Sequence, residues 1–425
     1  MNRKGILIFI GISVAVVIAT LVILGPGRKP PAPLSADLIF WGMEPEAVWQ
    51  SVIQNFHENN QNITIAYKQI EAARYKEKLI NALASGTGPD IFMLHSSQID
   101  THANKIAPLP QQALGVSLGA YKNAFADIAI TDLITKDNEI IGVPLFLDTL
   151  ALFYNKDMFN AANIAIPPAT WEDVISLSRT LTKVAPNGDI ILSGLAMGTG
   201  ANTDHSMEIL SALMMQSGAP IVRRESREVR IGAEGREAFT FYLSFARARH
   251  PNYSWHTLMP RSLEAFAHDR AAMAIGFLND IPVLRKTNPH LNLGVAPFPQ
   301  PKNIRTPLTF GAYTFPTVSK QSRHQQAAWQ FLLFTASNEG VKYFLDATGR
   351  APMHRTLIAA GAPSTELDIF WRQALIAKNW LIPDETISRR LFAETIDKVL
   401  TNVTDLSDAL DRLTQQIQLL FQPTR

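Results

Sequence analysis

Short apolar runs alternate with amphipathic stretches from residue 37 onward, and this order constrains the fold more than any other feature. Runs typical of buried strands lie at 37–41, 63–67 and 90–94. Between them, apolar side chains recur at helical spacing over 45–59 and 75–84. Because parallel strands need a crossover connection, which is usually helical, this order predicts an α/β fold built on a parallel sheet.

The rest of the chain predicts a second α/β unit. An apolar run at 140–152 is followed by a helical pattern at 171–184, and strand-like runs follow at 271–277 and 291–297. The last part, 388–421, has a helical pattern with charges of both signs. We expect this tail to form a solvated outer layer.

Composition excludes several classes of protein. The net charge of +2 leaves no basic stripe of the kind that nucleic acids require, so we expect no nucleic-acid partner. The chain has no cysteine, which excludes disulfides, cysteine nucleophiles and thiolate metal sites. The length after residue 36 suffices for two domains.

The chain begins with a segment that predicts contact with a membrane. Arg3 and Lys4 precede an uncharged apolar run at 5–24, long enough as a helix to span a bilayer of about 30 Å. A proline-rich spacer follows and ends at residue 36. We expect residues 1–36 to form an uncleaved anchor that holds the body on the extracytoplasmic face. A cleaved signal is the alternative, although the run exceeds the usual length of about 7–15 residues and no clear cleavage site follows.

Several segments, in order, resemble the extracellular solute-binding proteins of the sugar-binding type, which are maltose-binding-protein-like receptors of ATP-driven importers. The ASGTGPDIFML segment resembles the family's ASG-x-x-PDI block, and NEIIGVPLFLDTLALFYNKDMF resembles the block that ends in YNKD. Further resemblance lies in IPPATWEDVISLSRTLT, AMAIGFLNDIP, LGVAPFP, AAWQFLLFTASNEG and TGRAP. These segments lie at 84–94, 138–159, 166–182, 272–282, 293–299, 327–340 and 348–352.

The resemblance implies a two-lobed fold of the periplasmic-binding-protein type II, with hinge segments between the lobes. Lobe one would comprise 37–146 and 298–345, and lobe two would comprise 150–295 and 350–425. A small solute, expected to be a sugar, would bind between the lobes. Closure would then deliver it to the permease of an ABC importer, without a cofactor or metal and with a monomeric body. Leu278 stands where many relatives have a tryptophan that stacks on sugar, which is a departure from the family pattern.

Candidate ligand contacts follow from strand ends and from the resemblance. Ligands in parallel sheets bind at the carboxyl ends of strands, which indicates Glu44 after the first strand. Asp148 lies in an apolar run, where a buried carboxylate needs a partner. It matches the family's acidic sugar contact, with a hinge salt bridge or a cap as the alternative. The full set of candidates is Trp41, Glu44, Ser96, Ser97, Asp148, Asn202, Asn279, Asp280, Gly311, Tyr313 and Arg350.

Other functions stay open at this point. A glycosidase-like enzyme would need two carboxylates that flank a scissile bond, for which Glu44 and Asp148 are the candidates. The sequence has no HExxH motif, nucleophile elbow or phosphate-binding loop, so we expect no enzyme. Scattered histidines also argue against a metal-binding receptor. A membrane-tethered sensor or scaffold would share the binding function, and the ligand itself ranges over oligosaccharide, monosaccharide, polyol and glycerol phosphate.

Overall fold

A computed structural model describes residues 34–422 of the chain, and its strands form two main sheets and two short hairpins. Each strand is numbered here in chain order. The strands are β1 Ala36–Gly42, β2 Ile63–Gln69, β3 Ile91–His95, β4 Phe146–Asn155, β5 Lys183–Val184, β6 Ile190–Leu192, β7 Ile221–Arg223, β8 Glu228–Arg230, β9 Met273–Phe277, β10 Leu293–Pro297, β11 Thr309–Ala312, β12 Thr314–Val318, β13 Ala351–Pro352 and β14 Ala377–Lys378.

Helices cover both sheets and are numbered in the same way. They are α1 Glu46–Asn59, α2 Ala72–Ala84, α3 Ile99–His102, α4 Gln111–Leu114, α5 Leu118–Ala124, α6 Asp127–Leu133, α7 Lys156–Ala161, α8 Trp171–Leu181, α9 Ser206–Gln216, α10 Gly232–Ser244, α11 Ser262–Ala267, α12 Ile281–Thr287, α13 Gln325–Thr335, α14 Gly340–Thr348, α15 Arg355–Ala360, α16 Thr365–Gln373, α17 Glu385–Leu400 and α18 Leu406–Leu419. Short 3₁₀ turns lie at Ser96–Gln98, Ala103–Lys105 and Leu278–Asp280.

The first sheet has the order β12-β3-β1-β2 and confirms the predicted parallel pairing. Strand β1 pairs in parallel with β2 and with β3, whereas β12 is antiparallel to β3. Helices α1 and α2 provide the crossovers. The ring of Phe40 lies 4.6 Å from that of Trp49, so β1 and α1 share one apolar core.

Strand β4 connects this first core to a second one. Its residues Phe146 and Leu147 pack in the first core, and Leu150 and Leu152 pack in the second. Along its length β4 pairs with β13, β11, β9 and β10, always antiparallel. A second crossing lies at Tyr313, because β11 pairs with β4 while β12 joins the first sheet. The molecule therefore has two lobes joined by neighbouring segments that cross between them.

The predicted lobe boundaries remain a prediction, and the packing favours different positions for two of them. Phe298 and Phe310 pack in the second core, although 298–345 was expected in lobe one. Met353 and Leu357 pack in the first core, although 350–425 was expected in lobe two. The packing thus favours crossings near residue 313 and after residue 358.

The expectation that the helical tail is a solvated outer layer is wrong. Helices α17 and α18 bury apolar faces in the second core, including Phe392, Ile396, Leu413 and Ile417. The helical spacing of these side chains places them on one face, and the charged residues occupy the opposite face. The charge pattern in the sequence therefore reflects only the polar face of each helix.

Within residues 34–422, no helix is both long enough and apolar enough to cross a membrane. The predicted anchor at 5–24 lies outside the described residues. Whether residues 1–36 are an uncleaved anchor or a cleaved signal therefore remains a prediction from the sequence.

Candidate ligand-binding cleft

A cavity of about 550 Å³ lies between the two lobes, beside the segments that cross between them. Side chains from both cores line it. All but two of the predicted ligand contacts lie on its wall, namely Glu44, Ser96, Ser97, Asp148, Asn279, Asp280, Gly311, Tyr313 and Arg350. Most of the candidates therefore lie on one cleft, although they are far apart in the chain.

Trp41 and Asn202 do not line this cavity, so the proposed site does not include them. Trp41 is half-buried at the edge of the first core, where Lys68 Nζ lies 5.2 Å from its ring centroid. The amide of Asn202 donates to the carbonyls of His256 and Met259, at 3.0 and 2.8 Å. These contacts give Asn202 a structural role in connecting two turns.

Glu44 has one paired and one unpaired carboxylate oxygen. It follows β1 and is only 7% exposed. Oε1 lies 3.4 Å from Nη1 of Arg350, whose guanidinium lies 4.0 Å from the ring centroid of Phe146. Oε2 is buried and has no hydrogen-bond partner within residues 34–422. Because buried polar atoms are normally paired, Oε2 is an acceptor suited to a donor on a ligand.

Asp148 lies on β4 where that strand crosses between the lobes, and it is 8% exposed. Its oxygens accept hydrogen bonds from the backbone N–H groups of Leu278 at 2.8 Å and Asn279 at 3.2 Å. Burial raises the pKa of Asp148 to about 7, although these two hydrogen bonds oppose the shift. The charge of Asp280 raises this pKa further, and Arg350 lowers it. The partners expected for this buried carboxylate are thus backbone amides.

Asp280 pairs with a histidine that the sequence did not single out. Its Oδ2 lies 2.8 Å from Nε2 of His205 and accepts a hydrogen bond from the N–H of Phe277 at 2.7 Å. The imidazole also packs edge-on against the Phe277 ring, with centroids 4.8 Å apart. Burial lowers the pKa of His205, but Asp280, Glu208 and Asp204 together outweigh burial and raise it above its ordinary value.

Glu385 joins the two lobes at one side of the cleft. It lies at the start of α17 and accepts hydrogen bonds from Ser97 Oγ at 2.8 Å and from Arg389 Nη2 at 2.8 Å. Its Oε2 lies 3.1 Å from Nδ1 of His95. Burial alone would raise the pKa of Glu385, but these three partners outweigh it and hold that pKa well below its usual range. Glu385 is therefore anionic at neutral pH and bridges the lobes.

Gly311 and Tyr313 line the cavity at the second crossing between the lobes. A Cβ on Gly311 would lie 3.0 Å from the Cβ of Ala377, so the wall is tight here. The hydroxyl of Tyr313 donates to Asp132 Oδ2 at 3.0 Å, and its carbonyl accepts from the N–H of Ser96 at 2.9 Å. These contacts hold the crossing segment beside the end of β3.

Several lining residues escaped the sequence analysis. They include Phe146, His205, Glu208, Phe277, Phe310, Asn379, Trp380, Glu385 and Arg389. His95 also lines the cavity, and the end of the predicted strand at 90–94 indicates it. No signal of that kind exists for Glu385 and Arg389, which lie in a tail without a recognisable motif.

The cleft carries donors and acceptors suited to hydroxyl groups, together with aromatic rings. Within residues 34–422, no three histidine, aspartate or glutamate side chains are grouped to hold a metal ion. Pockets of this kind, mostly apolar with a few placed polar groups, are typical of small-molecule sites.

Comparison with known proteins agrees with this architecture. The family model of the bacterial extracellular solute-binding proteins matches residues 42–342. The chain belongs to this family. Because its members bind solutes and are not enzymes, the glycosidase alternative is excluded for this solute-binding protein.

Individual relatives are distant in sequence but extensive in coverage. The solute-binding protein is 21% identical to the multiple sugar-binding protein of Streptococcus mutans over 312 residues. This aligned region covers 72% of each chain. It is 22% identical over 347 residues to a putative binding protein of Brucella abortus, covering 79% of this chain and 78% of that one.

Solved structures show the same fold. The sugar-binding protein MalE of Xanthomonas citri matches with a TM-score of 0.76 at 19% identity, covering 91% of this chain and 97% of that chain. A solute-binding protein of Thermotoga lettingae bound with α-D-tagatose matches with a TM-score of 0.69 at 20% identity, covering 91% and 100%. At such identities the likeness establishes a two-lobed solute-binding fold.

Proposed function

We propose that this protein binds a carbohydrate in the cleft and delivers it to the permease of an ABC importer. The observation that carries the proposal is the lining of one interlobe cavity by carboxylates, hydroxyls and aromatic rings from both lobes. Paired hydrogen bonds to carboxylates and amides suit sugar hydroxyls, and aromatic faces cover the apolar faces of sugar rings. The similar proteins of Streptococcus mutans and Xanthomonas citri are both named as sugar-binding proteins, which supports the same ligand class.

The proposed contacts divide by chemistry. Glu44, Asp148 and Asp280 would accept hydrogen bonds from ligand hydroxyls, and Arg350 would donate. Ser97, Ser96 and Asn279 would add shorter polar contacts, with Gly311 and Tyr313 bringing the backbone close. The glutamate and the two serines lie on the first lobe, whereas Asn279 and Asp280 follow β9 on the second. A ligand that contacts both sets gains free energy only when the lobes are closed, which shifts the hinge equilibrium toward closure.

A thermal-shift screen of the full chain in mild detergent tests this function. The compounds are neutral sugars, polyols, amino acids and phosphorylated sugars, each at a concentration well above micromolar. A ligand that binds the native state raises the melting temperature by mass action. We expect a rise with at least one saccharide and none with amino acids. A rise with amino acids alone would contradict the proposal.

Uptake by cells separates import from signalling. Cells that lack this protein should no longer accumulate the radiolabelled saccharide that the screen finds. Unchanged accumulation, with binding intact, would favour the membrane-tethered sensor or scaffold.

For the N-terminal segment we propose that residues 5–24 anchor the body to the membrane, with the spacer up to residue 36 holding it off the surface. The uncharged apolar run and the poor cleavage site support this proposal. Intact-mass analysis of the protein from its native membrane fraction tests it. A mature chain that begins near residue 36 would show instead that the segment is a cleaved signal.

A further inference from the structure

Acidic side chains outnumber basic ones around the cleft. Five carboxylates line it, those of Glu44, Asp148, Glu208, Asp280 and Glu385. Two guanidinium groups, those of Arg350 and Arg389, and two imidazoles, those of His95 and His205, line it as well. The balance matters because a charged ligand buried in this cavity must be matched by groups of the opposite sign.

Both guanidinium groups already have carboxylate partners. Arg389 donates to Glu208 Oε2 at 2.8 Å and to Glu385 Oε1 at 2.8 Å. Arg350 faces Glu44 at 3.4 Å and lies over the Phe146 ring. The two imidazoles also have carboxylate partners, since His205 lies 2.8 Å from Asp280 and His95 lies 3.1 Å from Glu385. A phosphate or carboxylate on a ligand would therefore have to compete with an existing carboxylate partner to gain a cation.

One carboxylate oxygen, in contrast, has no donor within the described residues. Glu44 is more than nine-tenths buried and lines the cavity, yet its Oε2 has no hydrogen-bond partner there. Phe277 and Trp380 add aromatic rings, whose faces attract cations.

We propose that the ligand carries a protonated amine, as an amino sugar does, and that the cleft rejects phosphorylated sugars. An ammonium group brings three donors and one positive charge, which suits the unpaired oxygen of Glu44 and the carboxylate excess. A phosphate would add negative charge to the same wall. The inference rests on the proposed carbohydrate-binding function and narrows its ligand class.

Calorimetric titration of the full chain with matched compounds tests the inference. Each set has a common sugar in amino, neutral, N-acetylated and 6-phosphorylated form, built on glucose, galactose and mannose. We expect at least one amino sugar to bind at least tenfold more tightly than its neutral and N-acetylated counterparts, and its phosphate to show no binding.

Glu44→Gln removes the charge while keeping the shape of the side chain. This variant should weaken binding of the amino sugar at least tenfold more than it weakens binding of the neutral sugar, because both sugars lose a hydroxyl acceptor but only the amino sugar loses a charge partner. Glu46→Gln, on an exposed glutamate outside this cavity, is the matched control and should change neither. If Glu44→Gln does not fold, the wild-type comparison of each amino sugar with its uncharged N-acetylated form still tests whether positive charge selects the ligand.

The outcomes separate this inference from the proposed function. Neutral or phosphorylated sugars that bind as well as the amino sugars, or better, would overturn the inference and leave the carbohydrate function standing. Absence of binding by every amino sugar to folded protein would also overturn it. Equal losses for amino and neutral sugars in Glu44→Gln would show that its charge is not what selects the ligand.

Discussion

Asp148 illustrates how single residues combine structure and function in this protein. Its carboxylate holds the backbone of Leu278 and Asn279 at the end of β9, and it lies on the strand that crosses between the lobes. Burial of this carboxylate costs free energy when it is ionised, and its raised pKa is the measure of that cost. A bound ligand can thus offset the free energy that burial of this carboxylate at the hinge costs.

The stability of the protein should depend on pH through Asp148. An unfolded chain loses this proton near pH 3.8, whereas the folded protein keeps it to about pH 7. The free energy of unfolding should therefore fall as pH rises through this window, by up to about 4 kcal/mol for a shift of this size. Asp148→Asn lacks this contribution. Urea denaturation at pH 4 to 8 should show the wild type losing stability relative to the variant, and parallel curves would contradict the prediction.

The same substitution should weaken ligand binding. Asp148→Asn replaces a carboxyl group, with two oxygens, by an amide with a single carbonyl oxygen, so one backbone N–H or one ligand hydroxyl loses its acceptor. We expect the dissociation constant of the saccharide found by screening to rise at least tenfold in calorimetric titration. Asp346→Asn, on an exposed aspartate outside the cleft, is the control. Unchanged affinity would remove Asp148 from the site.

At the scale of elements, helix α17 matters most, because it closes the cleft and packs in the second core. Its first two turns carry Glu385 and Arg389, and its later turns bury Phe392 and Ile396. The backbone of Gly200 approaches it closely, with the Gly200 N–H donating to Asp397 Oδ1 at 2.9 Å. The helix is therefore fixed on both its apolar and its polar side.

Gly200→Ala should loosen this packing. A Cβ at residue 200 would lie 2.2 Å from the carbonyl oxygen of Ala393, which is rigid helix backbone. We expect a loss of roughly 1–3 kcal/mol in the free energy of unfolding, typical of overpacking. Gly119→Ala is the matched control, because its Cβ would meet only Ser117 Oγ at 4.0 Å in an exposed helix. That variant should be neutral or gain up to about 1 kcal/mol from helix propensity.

At the scale of the whole molecule, charged contacts outside the cleft also join the two lobes. The β7–β8 hairpin of the second lobe carries Arg224, whose Nη2 lies 2.7 Å from Oδ1 of Asp132 on the first lobe. Arg227 of the same hairpin lies 3.2 Å from Asp100. These pairs exist only when the lobes are close together, so they stabilise the closed arrangement.

Removal of both arginines should shift the ligand-free protein toward an open form. Because the chain has no cysteine, spin labels can be placed at two introduced cysteines, Lys122→Cys and Glu237→Cys, one on each lobe. We expect Arg224→Ala with Arg227→Ala to lengthen the mean distance between the labels, measured by pulsed electron resonance. Saturating ligand should restore the shorter distance.

The hairpin offers its own control. Arg223 pairs with Glu228 at 3.3 Å within the hairpin and makes no ion pair to the first lobe among the described residues. Arg223→Ala should therefore leave the distance unchanged. An equal lengthening in Arg223→Ala would show that the hairpin itself, and not its interlobe ion pairs, had been disturbed.

Local signals explain which parts of the site were predictable. Glu44 and Ser97 follow predicted strands directly, and the carboxyl ends of parallel strands meet at one edge of a sheet. Asp148 was predictable from a charge within an apolar run. Glu385 was not, because it meets Ser97 across 288 residues of chain, and nothing near it in the sequence indicates a strand end or motif.

The sequence by itself determined the alternation of strands and helices, the parallel first sheet and membership of a solute-binding family. These follow from side-chain periodicity and from short motifs, which depend on neighbours in the chain. Only the tertiary structure decided which carboxylates are paired, where α17 packs and which oxygen of Glu44 lacks a donor. Those features depend on contacts between residues that folding brings together from distant parts of the chain. The local sequence pattern contains no information about such contacts.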